Sequence, residues 1–232
     1  MPVEPQKKLL TPKSERTFER VLNVSAELFQ TKGFHETTMR DISRESKLGL
    51  GALYYYCRSK EELVLLFYER INAQIFEEYQ RSGQKQKTLA EAFEDFLRLK
   101  MRVLSPFRKL LIVVLKESVD PDSKISPLNA DATKTREKSI QFFEALATRY
   151  LKAGKDVKEV ESTSAETAKL LWLVHMGILA FWLYDKTPDF AKTEKLIAAV
   201  VNASKWAGKL NAIPGFNTVS RQLIGTLMSV IH

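Results

Sequence analysis

Residues 33–63 constrain this chain more than any other stretch, because they dictate a short helix, a glycine-marked turn, a second short helix and the opening of a third. Thr38, followed three residues later by Asp41, has the spacing of a capping box, in which side chain and backbone satisfy each other's hydrogen bonds at a helix start. Met39, Ile42 and Ser43 then fall on one side at helical spacing, while Arg40, Asp41 and Arg44 point elsewhere. Gly49 and Gly51 supply two glycines in three residues, which marks a turn. Beyond them, Leu53 is the inward residue and Tyr54, Tyr55 and Tyr56 fan around at about 100° per residue, so at least one phenol faces outward. Three tyrosines in a row also suit a strand or a half-buried helix face. The helix and turn before them decide for the outline of a helix-turn-helix, an arrangement that reads DNA.

Helical periodicity continues through the rest of the chain, and strands are scarcely visible. Phe18, Val21, Leu22, Leu28 and Phe29 predict a helix over 15–32 with Gly33 as its stop. Leu63, Leu66, Phe67, Ile71, Ile75 and Phe76 predict a longer one over about 60–80, the link between domains. Helices are expected over 88–104 and 107–118, divided at Ser105-Pro106, then a loop over 119–131 and a helix over 133–153 with Ile140, Phe143, Leu146, Ala147 and Tyr150 inside. The final pair is expected over 164–185, opened by Ser164-x-Glu166, and 190–210, joined by Lys186-Thr187-Pro188. An amphipathic segment with Val219, Leu223, Ile224, Leu227, Met228 and Ile231 follows Gly215. There are no internal repeats. The fold class is therefore all-α, with a basic arm over 1–14, a helix-turn-helix domain over 15–62 and a helical regulatory and dimerisation domain over 81–232.

Composition narrows the function classes. At 232 residues the chain holds one large or two modest domains, and its net charge of +8 suits a polyanionic partner without proving one. A single cysteine excludes an internal disulfide, and no Cys/His cluster has metal-ligand spacing, so no metal and no cofactor are expected. His35, His175 and His232 are scattered, and neither a phosphate-binding glycine loop nor a nucleophile elbow is present, which argues against an enzyme. The N-terminus lacks the apolar run of a signal peptide, and a cytoplasmic location is expected. Lys7, Lys8, Lys13 and Arg16 lie among prolines at 2, 5 and 12; this arm is either a solvated tail or a contact to phosphates or a minor groove.

With the helix-turn-helix outlined, residues 14–65 resemble the N-terminal domain of the tetracycline-repressor (TetR) family of bacterial transcriptional regulators. The resemblance is carried by Lys32-Gly33-Phe34, Thr37-Thr38, Ile42, Gly51-x-Leu53-Tyr54 and Ser59-Lys60-Glu61-x-Leu63, in that order. It implies a recognition helix beginning near Gly49, with Leu50, Gly51 and Ala52 closest to base edges. Tyr54, Tyr55 and Tyr56 are similar to the family's phosphate and base contacts, Lys60 to a residue beside the DNA backbone, and Thr37, Thr38 and Arg40 to positions where the preceding helix crosses a strand. Three departures bear on mechanism. Gly49 stands where the family usually has a serine cap, a loss of a few tenths of a kcal/mol. Leu50 replaces a hydrogen-bonding residue and is suited to a thymine methyl rather than to guanine. Cys57 replaces a packing aromatic, and a redox part for it is a minor alternative.

The stretch 164–185 is apolar on nearly every side, so it is buried on every side. A membrane span is the rival, but the apolar run is about 15 residues, holds His175 and is bounded by Lys169 and Asp185, whereas a span takes about 20. A second copy of the chain covers such a helix, and the TetR resemblance implies the same answer: the last two long helices pair with their mates in a four-helix bundle. His175 is either a hydrogen-bonded core or interface histidine or a polar anchor for an effector; Trp172, Met176, Leu179 and Trp182 either line the same cavity or only pack. The expected partners are double-stranded DNA bearing an inverted-repeat operator, a second copy of the chain and a small, mainly apolar effector that releases a repressor. An activator, or a ligand-independent DNA-binding protein of the same fold, is the alternative.

Overall fold

The computed structural model describes residues 11–82, 88–118, 130–151 and 157–210. Every regular element among them is a helix: α1 Pro12–Thr31, α2 Met39–Glu45, α3 Leu50–Tyr56, α4 Lys60–Arg81, α5 Leu89–Leu104, α6 Arg108–Ser118, α7 Ala130–Leu151, α8 Val157–Tyr184 and α9 Ala191–Leu210, with short 3-10 turns at Ser105–Phe107 and Pro188–Phe190. The chain divides into two units, Met1–Tyr68 and Glu69–His232. Residues 1–10 of the arm expected over 1–14, most of the loop over 119–131 and the amphipathic segment 215–232 lie outside the described residues, while Pro12, Lys13 and Ser14 of that arm belong to α1.

In the first unit, α1 starts where Thr11 accepts a hydrogen bond from the Ser14 amide and Pro12 occupies the first turn, where its missing N–H costs nothing. Val21, Leu22, Ala26 and Phe29 form its buried stripe. The helix ends before Gly33, whose φ of +104° is a backbone conformation L side chains rarely adopt. Asp41 and Thr38 form the predicted capping box at the start of α2: the Thr38 hydroxyl accepts from the Asp41 amide at 3.2 Å, and Asp41 Oδ2 accepts from the Thr38 amide at 3.0 Å. The same carboxylate receives the Lys32 ammonium at 2.6 Å and Arg44 at 3.2 Å, joining the end of α1 to both ends of α2. Its pKa is held well below the usual carboxylate range, first by Lys32 and then by Thr38. Leu53, Cys57, Leu63 and Val64 complete the core.

The second unit is built round an aromatic cluster. Phe76 of α4, Phe96 of α5 and Phe142 and Phe143 of α7 lie with neighbouring ring centroids 4.4–6.0 Å apart, and Tyr79 closes over them while donating to the Ala92 carbonyl at 2.8 Å. Thr88 and Glu91 cap α5 reciprocally. Three expected helix starts move. α1 begins at Pro12 rather than 15, α7 is already helical at Ala130 rather than from 133, and α8 is helical from Val157, not from Ser164. Ser164 is fully buried, and inward-facing Val160 carries the apolar face one turn further back, so the serine is a mid-helix residue rather than a cap. The segment Ser162–Tyr184 is consequently long and apolar enough to cross a membrane, and length does not separate the two readings as the shorter run suggests. Trp172, Ile178, Trp182 and Leu183 are nevertheless buried inside the unit.

The corner after α8 is held by two side chains. Arg108, at the start of α6, donates to the carbonyls of Trp182, Leu183 and Asp185 at 3.0, 2.9 and 2.5 Å, supplying donors that the last helical turn lacks. Asp185 accepts four hydrogen bonds, from the amide and hydroxyl of Thr187 and of Thr193, at 2.6–2.9 Å. Asp189 and Phe190 adopt positive φ, uncommon for phenylalanine, and Phe190 is held beneath the Arg108 guanidinium and against Trp182. Burial raises the Asp185 pKa, but the four donors outweigh it and leave the carboxyl below its ordinary range. Its stabilising effect is therefore complete above the unfolded value of 3.8 and fades as pH falls below it. Asp185→Asn is expected to lower the melting temperature at pH 7, and the gap to wild type should narrow below about pH 4; thermal scans at pH 7 and pH 3 check this.

Candidate nucleic-acid interface and regulatory core

α3 presents an outer surface with little on it. Gly51 and Ala52 are exposed and Leu50 is half-buried, while Tyr54 and Tyr55 are 48% and 60% exposed, unusual for such large rings. Leu53 faces inward and is fully buried, as the periodicity predicts. Gly49 caps α3 without a side-chain bond, and among the described residues a Cβ added at Gly49 or Gly51 would meet nothing within 4 Å. Nothing among the described residues therefore requires glycine at these two positions. Arg40 is exposed on α2, and Thr38 is exposed although its hydroxyl is engaged with Asp41. Through Tyr68 the sequence carries eleven basic and nine acidic side chains, so placement rather than a strong local field distinguishes this surface.

Three expected interface residues are turned inward. Thr37 is 1% exposed, and its hydroxyl donates to the Gly33 carbonyl at 2.6 Å, which takes the side chain off the surface. Lys60 sends its ammonium back to the carbonyls of Phe34, His35 and Thr37 at 2.7, 3.1 and 3.4 Å, 4.5 Å from the centre of the Phe34 ring; it ties the α1–α2 connection to the start of α4. The Tyr56 hydroxyl lies 2.9 Å from the Ser14 hydroxyl and its ring stacks on Phe18, so this tyrosine braces α1 against α3. Cys57 fills its place as a buried core residue. Its Sγ sits 3.6 Å from the Leu53 carbonyl, and burial, with Glu62 nearby, pushes the thiol up to about 12, which makes it unreactive.

The expected effector residues do not share one environment. His175 is buried between Phe96 and Phe143, with centroids 6.2 and 5.5 Å away. Trp182, seven residues along α8, packs against Arg108 and Phe190 instead. Trp172 and Leu179 are buried and Met176 is half-buried. His175 Nδ1 lies 3.3 Å from the Trp172 carbonyl, so that nitrogen carries the proton and the buried Nε2 is an acceptor with no hydrogen-bond partner among the described residues. Sequence reasoning missed Lys100, which is 1% exposed beside Phe96 and donates to Asn72 at 2.7 Å. The signal was present: Lys100 stands four residues after Phe96 and four before Leu104, inside the apolar stripe of α5. Among the described residues no group of three or more His, Cys, Asp or Glu side chains is placed to hold a metal.

Two outcomes follow from these placements. Lys60→Ala should destabilise the first unit by about 1–2 kcal/mol, the scale of lost hydrogen bonds to a charged group; chemical denaturation checks it, and unchanged stability would return Lys60 to the surface role. Burial pushes the Lys100 ammonium down to about 7, while burial, then the Lys100 charge, hold His175 well below 6.5 despite its bond to Trp172. Between pH 7 and 10 the unfolded chain thus binds more protons than the folded one, and stability rises with pH, by at most about 1.4 kcal/mol per pH unit for one lysine. Lys100→Met should flatten that slope in denaturation measured across this range.

Comparison with known proteins agrees with the architecture. Residues 21–66 match the family description "Bacterial regulatory proteins, tetR family", and residues 73–213 match "Tetracyclin repressor-like, C-terminal domain". The HTH-type transcriptional regulator YerO of Bacillus subtilis (strain 168) is 28% identical over 116 residues, covering 46% of this chain and 37% of that protein. The chain spans about two fifths of the length of the curated relatives it matches. Among solved structures, a TetR transcriptional regulator from Nitrosomonas europaea ATCC 19718 superposes with a TM-score of 0.63 at 17% identity over 82% of this chain and 99% of that one. The regulator FadR from Bacillus subtilis, in complex with stearoyl-CoA, does so with a TM-score of 0.60 at 14% identity over 79% and 97%. The two matched domains together account for most of the sequence, in the order the fold displays: the chain belongs to the TetR family of DNA-binding transcriptional regulators.

Proposed function

We propose that this protein is a cytoplasmic homodimeric repressor that binds an inverted-repeat operator and is released by a small, mainly apolar effector held in its C-terminal unit. The observation that carries the dimer, and with it the inverted repeat, is the outward stripe of α8. Leu170, Phe181 and Tyr184 are 43%, 42% and 54% exposed, and a Cβ added at Gly177 between them would meet nothing within 4 Å. A helix that is apolar inside and out, with a glycine where a neighbour can approach closely, calls for a second helix on its outer face. Two-fold symmetry then pairs two copies of α3 with two half-sites about 34–36 Å apart.

The buried His175, whose Nε2 has no partner among the described residues, is set among phenylalanines and supports an effector in the second unit. The stearoyl-CoA complex of the similar FadR fold agrees with an effector that carries a long apolar chain. α4 runs through the division between the units at Tyr68, and it is the element through which effector binding changes the spacing of the recognition helices. A coupling of about 1–3 kcal/mol is sufficient to lower operator occupancy.

Genomic DNA fragments selected by the purified protein at moderate salt are expected to share an inverted repeat, and the genes beside it then direct the choice of effectors. Fragments bound without any shared repeat would overturn the specific dimeric regulator in favour of a nonspecific DNA-binding protein. Operator affinity that stays constant while an effector demonstrably binds would overturn the release mechanism.

A further inference from the structure

We propose that this protein selects its DNA site through the C5-methyl groups of thymine, met by Leu50 and Ala52, rather than through hydrogen bonds to guanine. The inference rests on the operator-binding reading above and goes on to name the chemistry by which the operator is recognised.

The recognition helix has no side chain that makes the usual paired hydrogen bonds to a base. From position 48 to 56 it reads Leu, Gly, Leu, Gly, Ala, Leu and three tyrosines, with no Arg, Lys, Asn or Gln. Those four types supply the bidentate contacts to guanine and adenine in the major groove. Of the three phenols, the Tyr56 hydroxyl is already bonded to Ser14. The flanking cations are drawn away as well: Arg44 is bonded to Asp41 and Glu45 at 3.2 and 3.0 Å, and Lys60 donates to three carbonyls. Arg40 and Lys47 lie outside α3.

Besides the two phenols, the first turn of α3 offers aliphatic groups. Ala52 is exposed and Leu50 half-buried there, and thymine is the one base whose major-groove edge carries a methyl. Apolar contact yields energy only at van der Waals distance. Gly49 and Gly51 flank these residues, and the open space over both means that their lack of side chains serves no packing among the described residues. Bare backbone on either side of Leu50 lets the helix sit close enough for its methyl groups to touch the base edges. The two exposed phenols, Tyr54 and Tyr55, are left to position the helix on phosphates, which carry no sequence information.

The test separates this inference from the reading beneath it. An operator is first selected from random duplex DNA with the full-length protein. Each thymine is then replaced singly by deoxyuridine, which removes the methyl and keeps every hydrogen-bonding group, and each guanine by 7-deazaguanine, which removes the N7 acceptor; affinities are read by fluorescence anisotropy. At one or two thymines in each half-site, deoxyuridine should weaken binding about fourfold per methyl, the equivalent of about 0.8 kcal/mol for a buried methyl group. No 7-deazaguanine substitution should cost more. In Leu50→Ala the deoxyuridine effect should disappear at one of these thymines; the wild-type series alone decides the matter if that variant does not fold. Equal binding of deoxyuridine and thymine operators, or a dominant loss at a guanine read by Arg40 or Lys47, overturns thymine recognition and leaves the regulator standing. Failure to select any operator overturns the regulator reading itself.

Discussion

The Asp41 carboxylate is the point on which the first unit depends. It receives the Lys32 ammonium from the end of α1, the amide and hydroxyl of Thr38 at the start of α2, and Arg44 one turn later. Three pieces of chain that meet nowhere else in sequence are thereby fixed at one anion, and α3 follows from α2 through the Ser43 hydroxyl, which donates to the Leu48 carbonyl at 2.6 Å. Lys60 repeats the device from the other side by filling the carbonyls of the α1–α2 connection. The reading helix itself carries almost no anchoring side chain of its own, so its placement is delegated to these charges and to the buried Leu53.

Delegation of this kind leaves the outer surface of α3 plain. Tyr56 is used to brace α3 against α1, Thr37 to close the connection after Gly33, and Lys60 to lock α4 in register. What remains on the outside is two tyrosines, an alanine, a half-covered leucine and two glycines with open space above them. Rigidity comes from behind, through bonds that the outer side chains of α3 do not supply. A site built on a supported helix holds its geometry better than one built on a mobile loop.

The second unit places polar groups where its sequence pattern would put apolar ones. Lys100 interrupts the apolar stripe of α5, Asn72 that of α4 and His175 that of α8; all three end up buried, Lys100 and His175 beside aromatic rings. Groups of this kind cost stability unless they are hydrogen-bonded, which Asn72 achieves for Lys100 and the Trp172 carbonyl for one side of His175. The same arrangement makes the core of this unit sensitive to pH and chemically distinct from an ordinary packed bundle. Arg108 and Asp185, by contrast, are structural: they terminate α8 and turn the chain into α9.

Periodicity and capping signals are sufficient for the helical class, for the α2–turn–α3 arrangement and for most helix boundaries, because those features depend on residues three or four apart. Thr38 with Asp41, Gly33 as a stop and Leu53 as the inward residue are local matters, and local sequence decides them. The start of α8 escapes such signals because Ser164 has the composition of a cap and the burial of a core residue, a difference that only packing reveals. Which side chains stay at the surface is likewise beyond the sequence. A lysine beside α3 and a tyrosine at its end are equally able to face outward, and it is the carbonyls of Phe34, His35 and Thr37 and the Ser14 hydroxyl, brought near by the fold, that draw them in. Sequence by itself determined what each helix is and where its apolar side lies; the tertiary structure decided which polar groups are consumed in holding the helices together, since hydrogen bonds across 23–42 residues exist only once the chain has folded.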